Sequence, residues 1–407
     1  MAAVEKRKGN NMNNITEKIR QYTSEAIGLR RDLHRHPELA MCETRTTQLI
    51  REQLQAYGIP LIPDLDLPSG TAALLEGGKP GKTLLLRADI DALPVKEASG
   101  LPFASQEVGV CHSCGHDIHI TALLLCARVL SEMRDSLHGR VIFLFQPGEE
   151  TGEGASAVLR SGLLDRYPPD LAVGAHCWPD LPGGTVGLRK GGFMASSDTF
   201  RIQVIGRGGH GAHPHKSIDP IVAASYLVTQ LQTIVSRTVA PLDSAVVTVG
   251  KFTAGTAANV IPDQAVLEGT VRTVDHQIRE QVEQRIWDIA THTAAAMGAQ
   301  CQVDYQRGIP ALVCDAVAVD QLEAAAIQQL GQDKVRFLAQ PSMGSEDFAR
   351  YLERAPGAMF RIGTAFDAPA SHLPLHNAAI QFDEQAIPTG AAVFSQLAVN
   401  FLRTKLK

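Results

Sequence analysis

The chain has 407 residues, of which 44% are hydrophobic and 20% are charged, so it is long enough for two or three domains. This balance is typical of a folded protein with a substantial core and excludes the disordered and fibrous classes. The formal net charge is -5, and nothing suggests the clustered basic surface that binds nucleic acids or anionic membranes.

The cysteines and the start of the chain indicate the cellular compartment of the protein. Seven cysteines are irregularly spaced and odd in number, which argues against a disulfide framework and favours a reducing compartment. The polar start lacks the apolar segment of a signal peptide, and no run approaches the roughly 20 apolar residues of a membrane span. We therefore expect a cytoplasmic protein.

The first part of the chain alternates helices with short apolar strands. Apolar positions at three- and four-residue spacing predict helix over residues 14–57, interrupted at Pro37. Buried strands are predicted at 83–86 and 141–145, with a helix over 118–133 between them. This alternation predicts a sheet that is covered on both faces.

The middle of the chain has a different order of elements. The order β-α-β-β-α-β is the ferredoxin-like pattern, and it can fold as a unit inserted into the first domain. The predicted elements are a strand at 199–205, a helix at 220–236, strands at 245–250 and 265–271, a helix at 277–296 and a strand at 302–305.

The last hundred residues return to α/β alternation. A helix is predicted near 316–330, a strand near 358–362 and a last helix near 384–402. We expect these elements to complete the sheet of the first domain.

Residues 111–119 contain the densest cluster of possible metal ligands. Two Cys, three His and one Asp fall in this segment, and thiolate and imidazole are the preferred ligands of zinc and similar ions. The segment could also be a polar loop that opens a helix, or a structural zinc site. That zinc site would use Cys111, Cys114, His116 and His119. Candidate ligands elsewhere in the chain favour an open catalytic site instead.

Other candidates follow or end predicted strands, where α/β sheets bind their ligands. Glu149 and Glu150 follow the strand 141–145, and two adjacent glutamates can divide the tasks of metal ligand and general base. His176 ends another apolar strand, and His376 lies in a loop that contains Pro374. Each of these residues alone is more often part of an acidic turn or an ordinary histidine. The hypothesis of a metal site therefore depends on several such residues occurring together.

Two further groups carry polar side chains. Asp89 and Asp91 close an apolar strand and face the same side if the strand continues. A buried carboxylate there could fix the tautomer of a ligand imidazole, although both residues could equally be caps or belong to a turn.

In the middle region, His210, His213 and His215 stand among glycines. This pattern indicates either a mobile loop with a polar function or an ordinary surface loop.

Together, these motifs resemble the aminoacylase/carboxypeptidase family of metallopeptidases. They are most similar to its branch of hippurate hydrolases, N-acyl-amino-acid amidohydrolases and indole-3-acetyl-amino-acid hydrolases. The resemblance begins near Leu29 and runs to the last helix, and it includes HRHPEL at 34–39, RADIDALP at 87–94 and NVIP at 259–262.

The resemblance implies an α/β fold with two domains. A mixed-sheet metallopeptidase catalytic domain would comprise residues 14–187 and 307–407. An inserted ferredoxin-like α+β domain over residues 188–306 would act as a lid and form a homodimer.

The resemblance also implies two divalent metal ions per subunit. Zinc is the first expectation because a thiolate is present, and manganese, cobalt or nickel are alternatives. The implied ligands are Cys114, His116, Glu150, His176 and His376. The other implied site residues are the general base Glu149, the supporting Asp89 and Asp91, the catalytic His210, and the substrate-binding Asn259 and Arg272. The family pattern commonly places the lid residues in the partner's site.

Three positions depart from the branch pattern. Ser113 stands where the branch usually has Ala, Ile118 where it has Gly, and Gly148 where it has Ala. None of them removes a ligand or the base, so they bear on the substrate more than on the reaction.

The implied reaction is hydrolysis of an N-acyl amino acid, such as hippurate or an N-acetyl amino acid, to a carboxylic acid and a free amino acid. A dipeptidase or carboxypeptidase and a deacetylase of N-acetyl diamino acids are alternatives. An alternative of another class is a non-catalytic binding protein with the structural zinc site named above. We expect neither a nucleic-acid nor a membrane partner.

Overall fold

The computed structural model describes the backbone of residues 2–403 and the side chains of residues 14–403. The chain forms two compact units. The first contains the chain up to Gly191, the segment Cys314–Ala339 and the chain from Arg350 onwards. The second contains Gly192–Val313 and Gln340–Ala349. The insert expected at 188–306 differs by a few residues from the first of these segments, and the segment 340–349 was not expected to join it.

The elements of both units follow in chain order. The strands are β1 (Thr71–Glu76), β2 (Lys79–Asp89), β3 (His138–Gln146), β4 (Leu171–Pro182), β5 (Val186–Leu188), β6 (Gly191–Met194), β7 (Ser197–Ile205), β8 (Gly209–His210), β9 (Ala245–Ala254), β10 (Val260–Ile261), β11 (Gln264–Thr273), β12 (Gln300–Ile309), β13 (Leu312–Cys314), β14 (Val335–Phe337) and β15 (Gly357–Ala365). The helices are α1 (Ala2–Arg35), α2 (Thr44–Ala56), α3 (His116–Ser131), α4 (Gly154–Arg160), α5 (Leu163–Arg166), α6 (Pro220–Thr233), α7 (His276–Ala296), α8 (Ala316–Leu330), α9 (Ala349–Leu352) and α10 (Ala386–Arg403).

The described part of the first unit has a seven-stranded mixed sheet with the order β1-β3-β2-β4-β15-β5-β14. The strands β3, β2, β4 and β15 run parallel, whereas β1 and β5 run antiparallel to their neighbours in this core. Every residue of β15 and the last seven of β2 are buried, as expected for strands covered on both faces. The expected mixed α/β sheet is therefore confirmed, and the C-terminal strand β15 completes it.

Helices α1, α3 and α10 pack on one another in this unit. The helical region predicted over residues 14–57, with an interruption at Pro37, forms two helices, and α1 ends at Arg35 while α2 starts at Thr44. The helix predicted from residue 118 starts two residues earlier, so that His116 opens α3. This shift places a predicted ligand in the first helical turn.

The second unit contains a four-stranded antiparallel sheet with the order β12-β7-β11-β9. Two helices pack on one face, where Leu227 and Leu231 of α6 and Ile286 of α7 share a buried core with Ile202 of β7. This topology is the ferredoxin-like arrangement that the sequence predicted. Strand β9 lies at an edge of the sheet and pairs only with β11 among the described strands.

None of the described helices is both long enough and apolar enough to cross a membrane.

Candidate metal and catalytic site

Three neighbouring parallel strands, β2, β3 and β4, bring predicted site residues of the first unit together. Asp89 ends β2 and is the register partner of Gln146, which ends β3. The acidic turn with Glu149 and Glu150 follows β3 directly. His176 lies in the adjacent β4. Such an edge of a parallel sheet is where α/β proteins bind ligands.

The sequence predicted that His176 ends its strand. This prediction was wrong, because β4 continues past His176. Strand β4 continues to Pro182 because it pairs with β15 beyond the point where its pairing with β2 stops. His176 therefore projects from the middle of a paired strand, which restricts its backbone more strongly than a loop would.

The five predicted metal ligands converge. The Cys114 Sγ lies 3.5 Å from the His176 Nε2. The Glu150 Oε1 lies 3.8 Å from the His116 Nε2 and 3.4 Å from the His376 Nε2. Two groups of three possible ligands result, and the ligand atoms within each group lie within 4.8 Å of one another. The groups are Cys114–His116–His176 and Cys114–Glu150–His376, and they share the thiol.

Unpaired polar atoms in this cluster fit a bound cation. Among the described residues, neither the Nε2 of His116 nor the Oε1 of Glu150 has a hydrogen-bond partner, although both atoms are buried. An unpaired buried polar atom costs about 1–3 kcal/mol. A divalent cation would satisfy both atoms, and the mixture of thiol, imidazole and carboxylate suits zinc and similar ions.

The electrostatics of the cluster also favour a cation. Burial opposes protonation of His116, but the nearby carboxylates of Asp89, Asp91 and Glu150 outweigh it and raise the pKa of the imidazole to about 10. Burial, with the neighbouring imidazole of His119, lowers the pKa of His176 to about 3. Negative charge is therefore concentrated around His116, where a dication would neutralise it.

Local backbone geometry orients the ligands. Gly115 has φ +86°, a region that glycine enters without strain, and it turns the chain from Cys114 into the helix that begins with His116. The Nδ1 of His116 lies 2.9 Å from the carbonyl oxygen and 3.1 Å from the Oδ1 of Asp91. These acceptors place the proton on Nδ1 and leave Nε2 facing Glu150.

His119 has a different task from His116. Its Nδ1 donates to the Asp89 Oδ1 at 2.5 Å, and its Nε2 accepts the backbone N–H of Cys177 at 2.7 Å. Both ring nitrogens are therefore in use. Cys111 belongs to none of the candidate metal groups among the described residues. The contacts thus do not support a structural zinc site that needs Cys111 and His119.

The turn after β3 holds Glu149 next to the ligands. Glu149 is buried and forms a third candidate group with His116 and Glu150. The N–H of Gly148 donates to the Glu43 Oε1 at 2.8 Å, and the N–H of Glu150 donates to the Asp91 Oδ2 at 2.9 Å. The backbone on both sides of Glu149 is therefore fixed.

The remaining predicted site residues lie in the second unit. His210 is exposed on β8 and faces Val260 of β10 in the register. The carbonyl oxygen of Asn259 accepts the N–H of Gly211 at 2.9 Å, so His210 and Asn259 lie in neighbouring segments. Arg272 is half-buried on β11 and donates to the Ser345 Oγ at 3.2 Å.

The sequence interpretation missed two groups of residues that support the site. Glu43 is one, and no signal in the sequence indicated it, because it lies within the helical region predicted over residues 14–57. The other is a buried chain in which Arg87 donates to Asp89 and to Gln146 at 2.6 and 2.9 Å, while the hydroxyl of Tyr351 donates to Gln146 at 2.9 Å. The signal for Arg87 and Gln146 was a polar residue directly after each of the predicted apolar strands 83–86 and 141–145.

Comparisons with known proteins agree with one another. Residues 85–400 match the family described as peptidase family M20/M25/M40. The N-acetyl-L-cysteine deacetylase of Bacillus subtilis is 44% identical over 361 residues, which cover 89% of this chain and 84% of the relative. The hippurate hydrolase of Campylobacter jejuni is 36% identical over 390 residues, which cover 96% of this chain and 100% of the relative. The crystal structure of the Bacillus subtilis YXEP protein, a dinuclear metal binding peptidase from the M20 family, matches with a TM-score of 0.84 and 37% identity over 95% of this chain and 99% of that one.

Proposed function

The chain belongs to peptidase family M20/M25/M40 and is an amide-cleaving hydrolase, and we propose that it uses a dinuclear metal centre to hydrolyse N-acyl amino acids. The observation that carries the proposal is the convergence of two ligand groups that share Cys114. The dinuclear metal binding described for the 37% identical Bacillus subtilis peptidase supports the number of ions.

The proposed ligands are the five residues that converge at the edge of the sheet. They are Cys114, His116, Glu150, His176 and His376. When bound, the ions would lower the pKa of a water molecule to about 7 and polarise the amide carbonyl group. Zinc is our first proposal because of the thiol, with manganese, cobalt or nickel as alternatives.

The chain's own residues divide the remaining work. The carboxylate of Glu149 would take the proton from the attacking water and return it to the leaving amine nitrogen. Asp91 would hold the imidazole of His116 in one tautomer through its contacts with Nδ1. Asp89 would hold His119 and, through it, the backbone of Cys177 next to His176.

We propose that the second unit supplies the substrate-binding residues as a lid. His210 would stabilise negative charge on the carbonyl oxygen, as the family resemblance implies. The guanidinium of Arg272, which offers paired donors, or the amide of Asn259 would bind the carboxylate of the amino acid. The exposure of His210 and its position beside Asn259 support this role.

The substrate class follows from the relatives. One relative is named for deacetylation of N-acetyl-L-cysteine and another for hydrolysis of hippurate. Both names describe cleavage of an amide between an acyl group and the nitrogen of an amino acid. N-acetyl and N-benzoyl amino acids are therefore the first substrates to test.

We also propose that the protein is a homodimer that assembles through the second unit. Helix α6 exposes Val222 and Tyr226, and the edge strand β9 exposes Val246 and Phe252. An edge strand with exposed apolar side chains tends to pair with another chain. A second copy of the same surface would cover both features in a symmetric interface.

The free cysteines support a cytoplasmic location, which we propose as well. All seven cysteines are free, and five of them are buried. Free thiols persist in reducing compartments.

One experiment tests the function. The purified protein, supplied in turn with zinc, manganese, cobalt and nickel, would be offered hippurate, N-acetylcysteine, N-acetylmethionine, indoleacetyl-alanine and simple dipeptides, and the released amine would be measured. We expect turnover of at least one N-acyl amino acid. Glu149→Gln should keep its metal and lose about 10²–10⁴-fold in kcat, whereas His376→Ala should lose metal.

The matched control is Glu153→Gln. Glu153 is exposed, follows the same turn as Glu149, and its side chain makes no capping hydrogen bond to α4. It should retain both metal and turnover. Normal turnover by the Glu149→Gln protein would refute the role of the base. If the metal-bound wild-type protein hydrolyses none of these amides, the proposed function is refuted.

A further inference from the structure

Glu43 occupies the N-cap position of α2 but does not cap this helix. The neighbouring Glu38 does so instead, because its carboxylate accepts the backbone N–H groups of Arg45 at 3.0 Å and Thr46 at 2.8 Å. Free N–H groups at a helix start normally need such acceptors. Glu38 therefore leaves the carboxylate of Glu43 available for a different partner.

The carboxylate of Glu43 is completely buried and reaches the acidic turn after β3. One of its oxygens accepts the N–H of Gly148 at 2.8 Å, and the other accepts the hydroxyl of Ser69. A buried carboxylate that accepts a backbone N–H forms a strong, charge-assisted hydrogen bond.

The backbone of Glu43 is itself held in place. Its carbonyl oxygen accepts the N–H of Thr47 at 3.0 Å. The hydroxyl of Thr47 accepts the N–H of Gly70 at 2.7 Å. The acceptor for Gly148 is thus anchored to the first turn of α2 and to the segment that precedes β1.

The turn also packs against the segment that precedes Glu43. Gly148 has φ +57°, and a Cβ atom there would lie 2.5 Å from the Sδ of Met41. Met41 has a positive φ of 62°, which is rare for a residue with a side chain. Backbone strain of this kind persists only where the surroundings determine it, and it is frequent at functional sites.

Glu149 therefore lies between two fixed amides. Glu43 holds the N–H at position 148, and Asp91 holds the N–H at position 150. Asp91 also contacts the imidazole of His116. The hydrogen bonds that Glu43 makes with other described residues involve Thr47, Ser69 and Gly148 but no proposed ligand, so its link to the site passes through the turn.

We propose that Glu43 is a positioning residue that fixes the turn 148–150 and thereby the carboxylate of Glu149. This inference deepens the proposed function and rests on it for the role of Glu149 as the base. Displacement of a reacting group by about 1 Å can lower a rate about a hundredfold. Loss of the Glu43 carboxylate should therefore lower kcat while substrate binding and the metal ligands remain.

The experiment compares Glu43→Ala with Glu43→Gln in the full-length, metal-loaded protein. We expect Glu43→Ala to lower kcat by about ten- to a hundredfold, with KM and metal content close to those of the wild type. Glu43→Gln keeps an oxygen that can accept the Gly148 N–H and an amide group that can donate to the Ser69 hydroxyl. It should therefore restore most of the activity.

Hydrogen–deuterium exchange supplies a measurement that needs no turnover. We expect the segment 147–153, followed in peptides that begin at or before residue 146 so that the Gly148 amide is retained, to exchange faster in Glu43→Ala than in the wild type or in Glu43→Gln, because the Gly148 amide loses its acceptor. Glu38→Ala is the matched control, since it removes the cap of α2 and leaves the Glu43 carboxylate in place. It should raise exchange at the start of α2 but not in segment 147–153.

The outcomes separate the inference from the proposed function. Unchanged exchange of segment 147–153 in Glu43→Ala would overturn the inference, whether or not the protein cleaves any amide. An equal loss of kcat in Glu38→Ala would also overturn it, because general destabilisation of α2 would then explain the effect. If exchange is faster in Glu43→Ala alone but the protein cleaves no amide, the proposed function is rejected. The inference that Glu43 fixes the turn 148–150 then still holds.

Discussion

Single buried charges in this protein are held by several partners at once. Asp198 of the second unit accepts two hydrogen bonds from the guanidinium of Arg279, one from the Tyr305 hydroxyl at 2.8 Å and one from the Gly308 N–H at 3.0 Å. Asp89 of the first unit is held in the same way by Arg87 and His119. Burying an uncompensated charge costs several kcal/mol, so each partner matters.

The Asp198 cluster allows a prediction about stability. Arg279→Met keeps an apolar side chain of similar length but leaves the buried carboxylate without its cation. We expect the free energy of unfolding to fall by about 3–5 kcal/mol, measured by urea denaturation at a fixed protein concentration. Trp287 lies on the same helix as Arg279, and its fluorescence, together with that of Trp178 in the first unit, follows unfolding.

Arg285→Met on the same helix is the matched control. Arg285 pairs with Asp288, and both side chains are more than a third exposed, so this pair should contribute little. Equal losses of stability in the two variants would show that the buried pair has no special role.

Among the elements, the helices of the second unit start where an aspartate can cap them. The side chain of Asp219 accepts the N–H groups of residues 221 and 222 at the start of α6. Asp275 does the same for residues 277 and 278 at the start of α7. Because a cap is a local feature of the sequence, the predicted starts at 220 and 277 lie within one residue of the observed ones.

The cap of α7 can be tested by substitution. Asp275→Ala removes the acceptor at 2.8 Å from the Gln277 N–H and should lower the free energy of unfolding by about 1 kcal/mol. Asp275→Asn keeps an acceptor oxygen and should remain close to the wild type. Asp243→Ala, at an exposed loop position, is the control in the same urea titration. A loss in the Asn variant as large as that in the Ala variant would contradict the capping role.

Helix α2 shows where local patterns stop being sufficient. Its N-cap residue is Glu43, whose side chain turns away from the helix to a turn far along the chain. Strand β4 likewise extends past His176 because β15 continues to pair with it. In both cases a partner distant in sequence decides the local structure, and a short window of residues contains no information about that partner.

At the scale of the whole molecule, the proposed dimer predicts complementation between inactive subunits. If His210 acts in the partner's site, mixing Glu149→Gln with His210→Ala creates heterodimers with one intact site. Random exchange of subunits would then restore up to about a quarter of the wild-type activity. The measurement is amine release before and after the two inactive proteins are mixed under conditions that allow subunit exchange.

A monomeric variant provides the control for this experiment. Tyr226→Glu places a charge on the exposed apolar face of α6 and should lower the mass in solution from dimer to monomer. The same substitution in both inactive proteins should abolish the recovery. If mixing restores no activity although exchange is demonstrated, His210 acts within its own subunit or has no catalytic role.

The sequence by itself determined the classes of structure and chemistry in this protein. Periodic apolar residues indicated the helices and strands, and the order of elements in the middle region indicated the ferredoxin-like unit. The motifs at 34–39, 87–94 and 111–119 indicated the family, to which the chain belongs. These signals are local, because helix and strand periods and the spacing of motif residues are properties of short segments.

Only the tertiary structure decided which atoms meet. It placed the thiol of Cys114 3.5 Å from His176, 62 residues away, and the carboxylate of Glu43 2.8 Å from the Gly148 nitrogen, 105 residues away. It also engaged both nitrogens of His119, which the sequence left among the possible zinc ligands. Hydrogen bonds depend on separations of tenths of an ångström and on burial, and both arise only when segments distant in the chain pack together.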